Sequence, residues 1–100
     1  MYTKALMMCA LQRWGIKTQY VKTAEECAEL IKECMKAMEG AENLPKLAEE
    51  IADVEIMCMQ MRVVLGANES MIDAFIFKKL SRLEQIIAAE EERENKKKEG

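Results

Sequence analysis

Histidine is absent from the 100 residues of the chain, proline occurs once and glycine four times. Without histidine, the usual Cys/His zinc sites have no complete ligand set, and di-iron bundles, which take a Glu-x-x-His pair from each of two helices, are disfavoured. The four cysteines, Cys9, Cys27, Cys34 and Cys58, show no CxxC spacing. On a helix Cys27 and Cys34 stand about 10 Å apart along the axis, beyond disulfide reach. They are expected to be free thiols, packed as small hydrophobes in a reducing cytosol, so the protein is expected to be cytoplasmic. Sheets joined by tight turns consume glycine and proline, and so few of either point to an all-α fold.

Long apolar runs are missing too. The longest, Ala5 to Leu11, has seven residues, against about 20 for a membrane span. It follows Lys4 and leads into Gln12, Arg13 and Trp14 without a small-residue cleavage site, so it reads as part of the first helix rather than a signal peptide. Eighteen acidic against 15 basic residues give a net charge of -3, which lacks the basic stripe of a nucleic-acid-binding protein. A chain of this length makes one domain, expected over 1–88, with 89–100 as a charged, frayed tail in which five Glu and four basic residues nearly cancel.

What is present is helical punctuation. A first helix is expected from Tyr2 to about Arg13, ended by Trp14-Gly15, and a second from about Lys17 to Glu39, with Gly40 in the C-cap position. In the second, Tyr20, Val21, Ala24, Cys27, Ala28, Ile31, Met35 and Met38 recur at intervals of three and four, the pattern of one buried face. Asn43 is the expected N-cap of a third helix, about Leu44 to Leu65, which tolerates Pro45 in its first turn. Ser70 and Asp73 resemble a capping box opening a fourth, whose inner side would carry Ile72, Phe75, Ile76, Leu80, Leu83, Ile86 and Ile87.

The third helix carries Leu47, Ile51, Val54, Cys58, Met61 and Leu65 in alternating steps of four and three, the spacing of a coiled-coil seam. Ile56, Met57, Met59, Val63 and Val64 lie outside that seam, so its second half is apolar on almost every side. A helix of that kind is central, and four short helices can hardly surround it. A compact bundle of about four helices, completed by oligomerisation, is therefore expected.

Two acidic groups break the apolar pattern: Glu25, Glu26 and Glu29 in the second helix, Glu50 and Asp53 in the third. With acidic residues near one in five, about three i, i+3 pairs arise by chance. Position is more telling than number, because the row from Glu50 through Asp53 continues into Met57, Gln60 and Val64, and such a row faces protein or a cleft. If the two helices pack antiparallel, four carboxylates share one partly buried space, a costly arrangement that a divalent cation relieves. All-oxygen ligation selects Mg²⁺ first and Mn²⁺ second. Mg²⁺ keeps waters and takes phosphate oxygens as its other ligands, which points to a nucleotide phosphate site. Lys78, Lys79 and Arg82 form the compact basic group outside the tail, and Lys22 lies one turn before Glu26.

The strings Glu25-Glu26-Cys27-Ala28-Glu29-Leu30 and Glu49-Glu50-Ile51-Ala52-Asp53-Val54 together resemble the EExxE and ExxD signature of the MazG-like nucleoside triphosphate pyrophosphohydrolases. Trp14-Gly15, Gln19 and the Lys79-Leu80-Ser81-Arg82-Leu83 segment are similar to that family as well. The resemblance runs from about Thr3 to Ile87. It implies an all-α, Mg²⁺-dependent enzyme that cleaves a (deoxy)nucleoside triphosphate between the α and β phosphates to give NMP and pyrophosphate. It further implies Glu26, Glu29, Glu50 and Asp53 as metal ligands and Glu25 as the residue that orients or deprotonates water. Phosphate contacts would come from Lys79 and Arg82, with Lys22 nearby, and base or sugar contacts from Gln19 and Trp14. Protomers of such a family associate into homodimers or homotetramers. The competing class is a non-catalytic helical interaction module, in which the carboxylates are a solvated face and the Met-rich third helix a partner groove.

Overall fold

The computed structural model describes residues 3–99. Among them the chain is all-α: α1 (Thr3–Trp14), α2 (Ile16–Met38), α3 (Leu44–Leu65) and α4 (Ser70–Glu99), with a short 3-10 turn at Gly66–Asn68 and no strand. Tyr2, where the first helix was expected to start, and Gly100, at the end of the charged segment, lie outside the described residues. No described helix is long and apolar enough to cross a membrane.

The helix ends have local causes. Gly15, at φ 87° and ψ 155°, adopts a conformation that a side chain would forbid and joins α1 to α2 through a single residue. At the end of α2, Gly40 has φ 86°, its N–H bonds to the Ala37 carbonyl, and the Ala41 N–H bonds to Lys36. These are the paired bonds of a Schellman cap. Asn43 caps α3 as expected: its side chain accepts from the Lys46 N–H at 3.1 Å, and Pro45 sits in the first turn.

The chain divides into two units, one running to Gly66 and the other beginning at Ala67. In the first, α3 packs against both α1 and α2, the central place its all-round apolarity predicts. Its most buried residues are Glu50, Met57 and Gln60. Asp53 and Val64 are half-buried, so the row that begins as carboxylates and ends as hydrocarbon does face protein. The second unit consists of the turn and α4, which continues as helix through 89–99.

The burial of α2 differs from its apolar pattern. Tyr20, Val21, Ala24, Cys27, Ala28, Ile31, Met35 and Met38 are all exposed in the single chain, and the row turned inward is Gln19, Thr23, Glu26, Leu30, Glu33 and Ala37. The reason lies in α3: its polar residues line the contact with α2, and a row that is mostly polar meets them without stranding amides and carboxylates against hydrocarbon. Along α4 a similar correction holds. Ile72 is half-buried, but Phe75, Ile76, Leu80, Leu83, Ile86 and Ile87 are exposed, since this unit holds no second long helix to cover them. The four cysteines are free as expected, yet all are exposed rather than packed.

Replacing the α3 cap, Asn43→Ala, should cost about 1 kcal/mol of stability, read as a lower urea midpoint with an unchanged slope.

Candidate functional site

The site is built on the antiparallel pairing of α2 and α3. Gln19, Glu26 and Glu33 follow one another at seven-residue intervals on α2, and Gln60, Asp53 and Lys46 do so in reverse on α3. Two helices meeting along a heptad seam bring these positions together in turn. At one end the Gln19 amide nitrogen donates to the Gln60 side-chain oxygen at 2.6 Å, and both side chains are buried. The Gln60 amide in turn lies 3.7 Å from the Met57 sulfur. At the other end stand Glu33, buried on α2, and Lys46, whose ammonium feels the Glu33 charge.

Between them lie the acids. Glu26, Glu50 and Asp53 each bring a carboxylate oxygen within 4.8 Å of the others. Glu26 is paired with Lys22 at 2.9 Å and Glu50 with Lys46 at 2.9 Å. Glu50 is only 3% exposed, and although Lys46 engages its Oε1, Oε2 is buried without a hydrogen-bond partner. An orphaned buried polar atom costs about 1–3 kcal/mol, more when charged, so this oxygen is short of a ligand. A hard cation would satisfy it, and three carboxylates without histidine suit Mg²⁺ or Mn²⁺.

Charge is unevenly compensated. Partial burial holds the Asp53 carboxyl above the usual aspartate range, and the charges of Glu26, Glu50 and Glu49 push it further up, with Lys22 opposing. Lys22 and Lys46 are shifted above the ordinary lysine value, first by their hydrogen bonds to Glu26 and Glu50 respectively, so both stay charged.

Beside the acids a groove of about 540 Å³ opens along α2, lined by Trp14, Thr18, Gln19, Val21, Lys22, Glu25, Met57 and Gln60. Trp14 is 59% exposed and forms one wall. The structure thus brings Trp14, Gln19, Lys22 and Glu25 to one groove, and Glu26, Glu50 and Asp53 to one cluster that Lys22 adjoins. Glu29 is exposed on α2 and outside the three-carboxylate group. Lys78, Lys79 and Arg82 are exposed on α4, in the second unit.

Gln60, Lys46 and Glu33 escaped the sequence reading as site residues. The signal was there in the polar heptad of α2, but it becomes legible only once the register against α3 is known. Comparison of the chain with family models, curated proteins and solved structures finds no match.

Because the folded Asp53 carboxyl titrates above its unfolded value, its contribution is fully favourable below the unfolded pKa and is lost as pH rises through the folded one. Without added metal, Asp53→Asn should therefore raise Tm at pH 7, and the difference should vanish below the unfolded value of about 3.9. A pH series of melting curves on both proteins checks this.

Proposed function

We propose that the protein is a Mg²⁺-dependent nucleoside triphosphate pyrophosphohydrolase, as its resemblance to the MazG-like family implies. One observation carries the proposal: three carboxylates from two helices each bring an oxygen within 4.8 Å of the others, and Glu50 among them keeps a buried oxygen without a partner. Glu26, Glu50 and Asp53 would hold the ion, and the place of Glu29, exposed three residues beyond Glu26 on α2, as a fourth ligand rests on the resemblance alone. Bound there, Mg²⁺ or Mn²⁺ neutralises phosphate charge and acidifies water.

The remaining work falls to the groove. Trp14 offers its indole face to a base, and Gln19, whose amide nitrogen is held by Gln60, lines the groove where a base or sugar edge would lie. Lys22, at the junction of groove and acids, meets phosphate oxygens. Glu25, on the rim, orients or deprotonates the water that attacks the α phosphorus. The α–β P–O bond breaks, pyrophosphate leaves, and the nucleoside monophosphate stays behind. The phosphate role of Lys79 and Arg82 rests on the resemblance alone.

The same proposal includes self-association into a homodimer or homotetramer. Only Met7 and Met57 among the described hydrophobic residues are buried, while most large apolar residues of α2 and α4 are exposed, more than a monomer ordinarily leaves to water. That surface also favours a second reading, a helical interaction module without catalysis, in which these faces take a protein partner.

A screen of canonical, deoxy and damaged nucleoside triphosphates with Mg²⁺ should release pyrophosphate rather than phosphate. Glu50→Gln and Asp53→Asn should lower that release by about 10²-fold or more while the helical signal survives. Mg²⁺ at roughly 100 times its Kd should stabilise the wild type by about 2.7 kcal/mol. Release of no pyrophosphate from any triphosphate with Mg²⁺ or Mn²⁺ sinks the enzyme reading and leaves the interaction module. Sedimentation should give the mass of a dimer or tetramer.

A further inference from the structure

We propose that Lys46 is a positioning residue that restricts Glu50 to coordination through one oxygen, making the carboxylate site discriminate Mg²⁺ from Ca²⁺. The inference rests on the ion site proposed above and adds to it a residue with no place in that ligand set.

The geometry begins at the α3 cap. Asn43 holds the Lys46 backbone N–H at 3.1 Å, fixing the start of the side chain. From there the ammonium reaches Glu50 Oε1 at 2.9 Å and Glu49 Oε1 at 3.8 Å. Glu33 on α2 adds its charge from across the seam. Leaving Glu50 would cost the ammonium its shortest ion pair and draw it away from Glu49 as well. The Glu50 side chain has as little freedom, being 4% exposed. One of its oxygens is thus committed to Lys46, and the other, Oε2, is buried and unpartnered.

The two ions make different demands on such a carboxylate. Ca²⁺ collects about 6–8 oxygens at roughly 2.3–2.6 Å and takes carboxylates in bidentate fashion as readily as singly. Mg²⁺ requires a near-octahedral set at roughly 2.0–2.1 Å, and one oxygen from each acid, completed by water or phosphate, meets that requirement. Bidentate capture of Ca²⁺ by Glu50 would need Oε1 as well. It would break the ion pair that holds this buried acid and leave Lys46 facing the new cation. The lysine thus penalises Ca²⁺ more than Mg²⁺.

The test compares wild type, Lys46→Met and Lys46→Arg by calorimetric titration with Mg²⁺ and with Ca²⁺, in the absence of nucleotide. Lys46→Met should shift the affinity ratio toward Ca²⁺ by about tenfold, the scale of outer-shell effects on metal sites, and Lys46→Arg should keep the wild-type ratio. Infrared difference spectra of the Ca²⁺-loaded Lys46→Met protein should gain the carboxylate splitting of bidentate coordination. Equal tightening of both ions would show that Lys46 acts only as a charge and overturns the proposal, leaving the ion site intact. Wild-type protein that binds neither ion overturns both. If Lys46→Met loses its helical circular dichroism, Lys46→Gln carries the same comparison.

Discussion

The contact between α2 and α3 is a seam of amides and charges. Gln19 meets Gln60, Glu26 approaches Asp53, and the seam ends at buried Glu33, 3.8 Å from Lys36 on its own helix, and at Lys46 on the other. Burying such groups is favourable only when each finds a partner. The glutamines satisfy one another, and Lys22 and Lys46 each neutralise an acid. What is left over is concentrated at Asp53 and at one oxygen of Glu50. The chemistry available to the molecule is located where its own hydrogen bonding falls short.

The same seam explains the distribution of hydrocarbon. Once the polar row of α2 is turned toward α3, the helical period places Ile31, Met35 and Met38 on the outside. The apolar residues of α2 therefore cannot also form the core of the first unit. Its few buried apolar side chains, Met7 and Met57, come from α1 and α3. Small domains gain little stability from so small a core, and the hydrocarbon carried on the outside of α2 is the reserve that association would draw upon.

Much of this was legible in the sequence where the cause is local. The Asn43 cap and the Gly40 turn depend on a handful of neighbouring residues, and both formed where their types predict. The row from Glu50 to Val64 was readable for a different reason: it changes from acid to hydrocarbon within one helix, so its direction needed no partner. The inward face of α2 was not readable in that way. Periodicity identifies two opposite faces of that helix, one apolar and one polar, but which of them meets α3 is set by what α3 presents. Lys46 and Glu33 look like ordinary surface charges until that register places them on one seam. The exposure of the cysteines follows from the same reversal for Cys27 and Cys34, which lie away from the inward row of α2.

Gly15 carries a consequence for ligand size. Trp14 ends α1 and Gln19 begins the buried row of α2, and the Gln19 N–H bonds to the Gly15 carbonyl at 3.2 Å. One wall and the floor of the groove are thus joined through a single backbone setting with no loop between them. Lengthening the connection would unseat the amide of Gln19 from its helix, so the aperture cannot be adjusted by insertion. Adaptation of this groove to larger or smaller molecules has to proceed by exchange of the side chains that line it, with exposed Val21 the apolar position whose volume is free to change, since Met57 also serves the core.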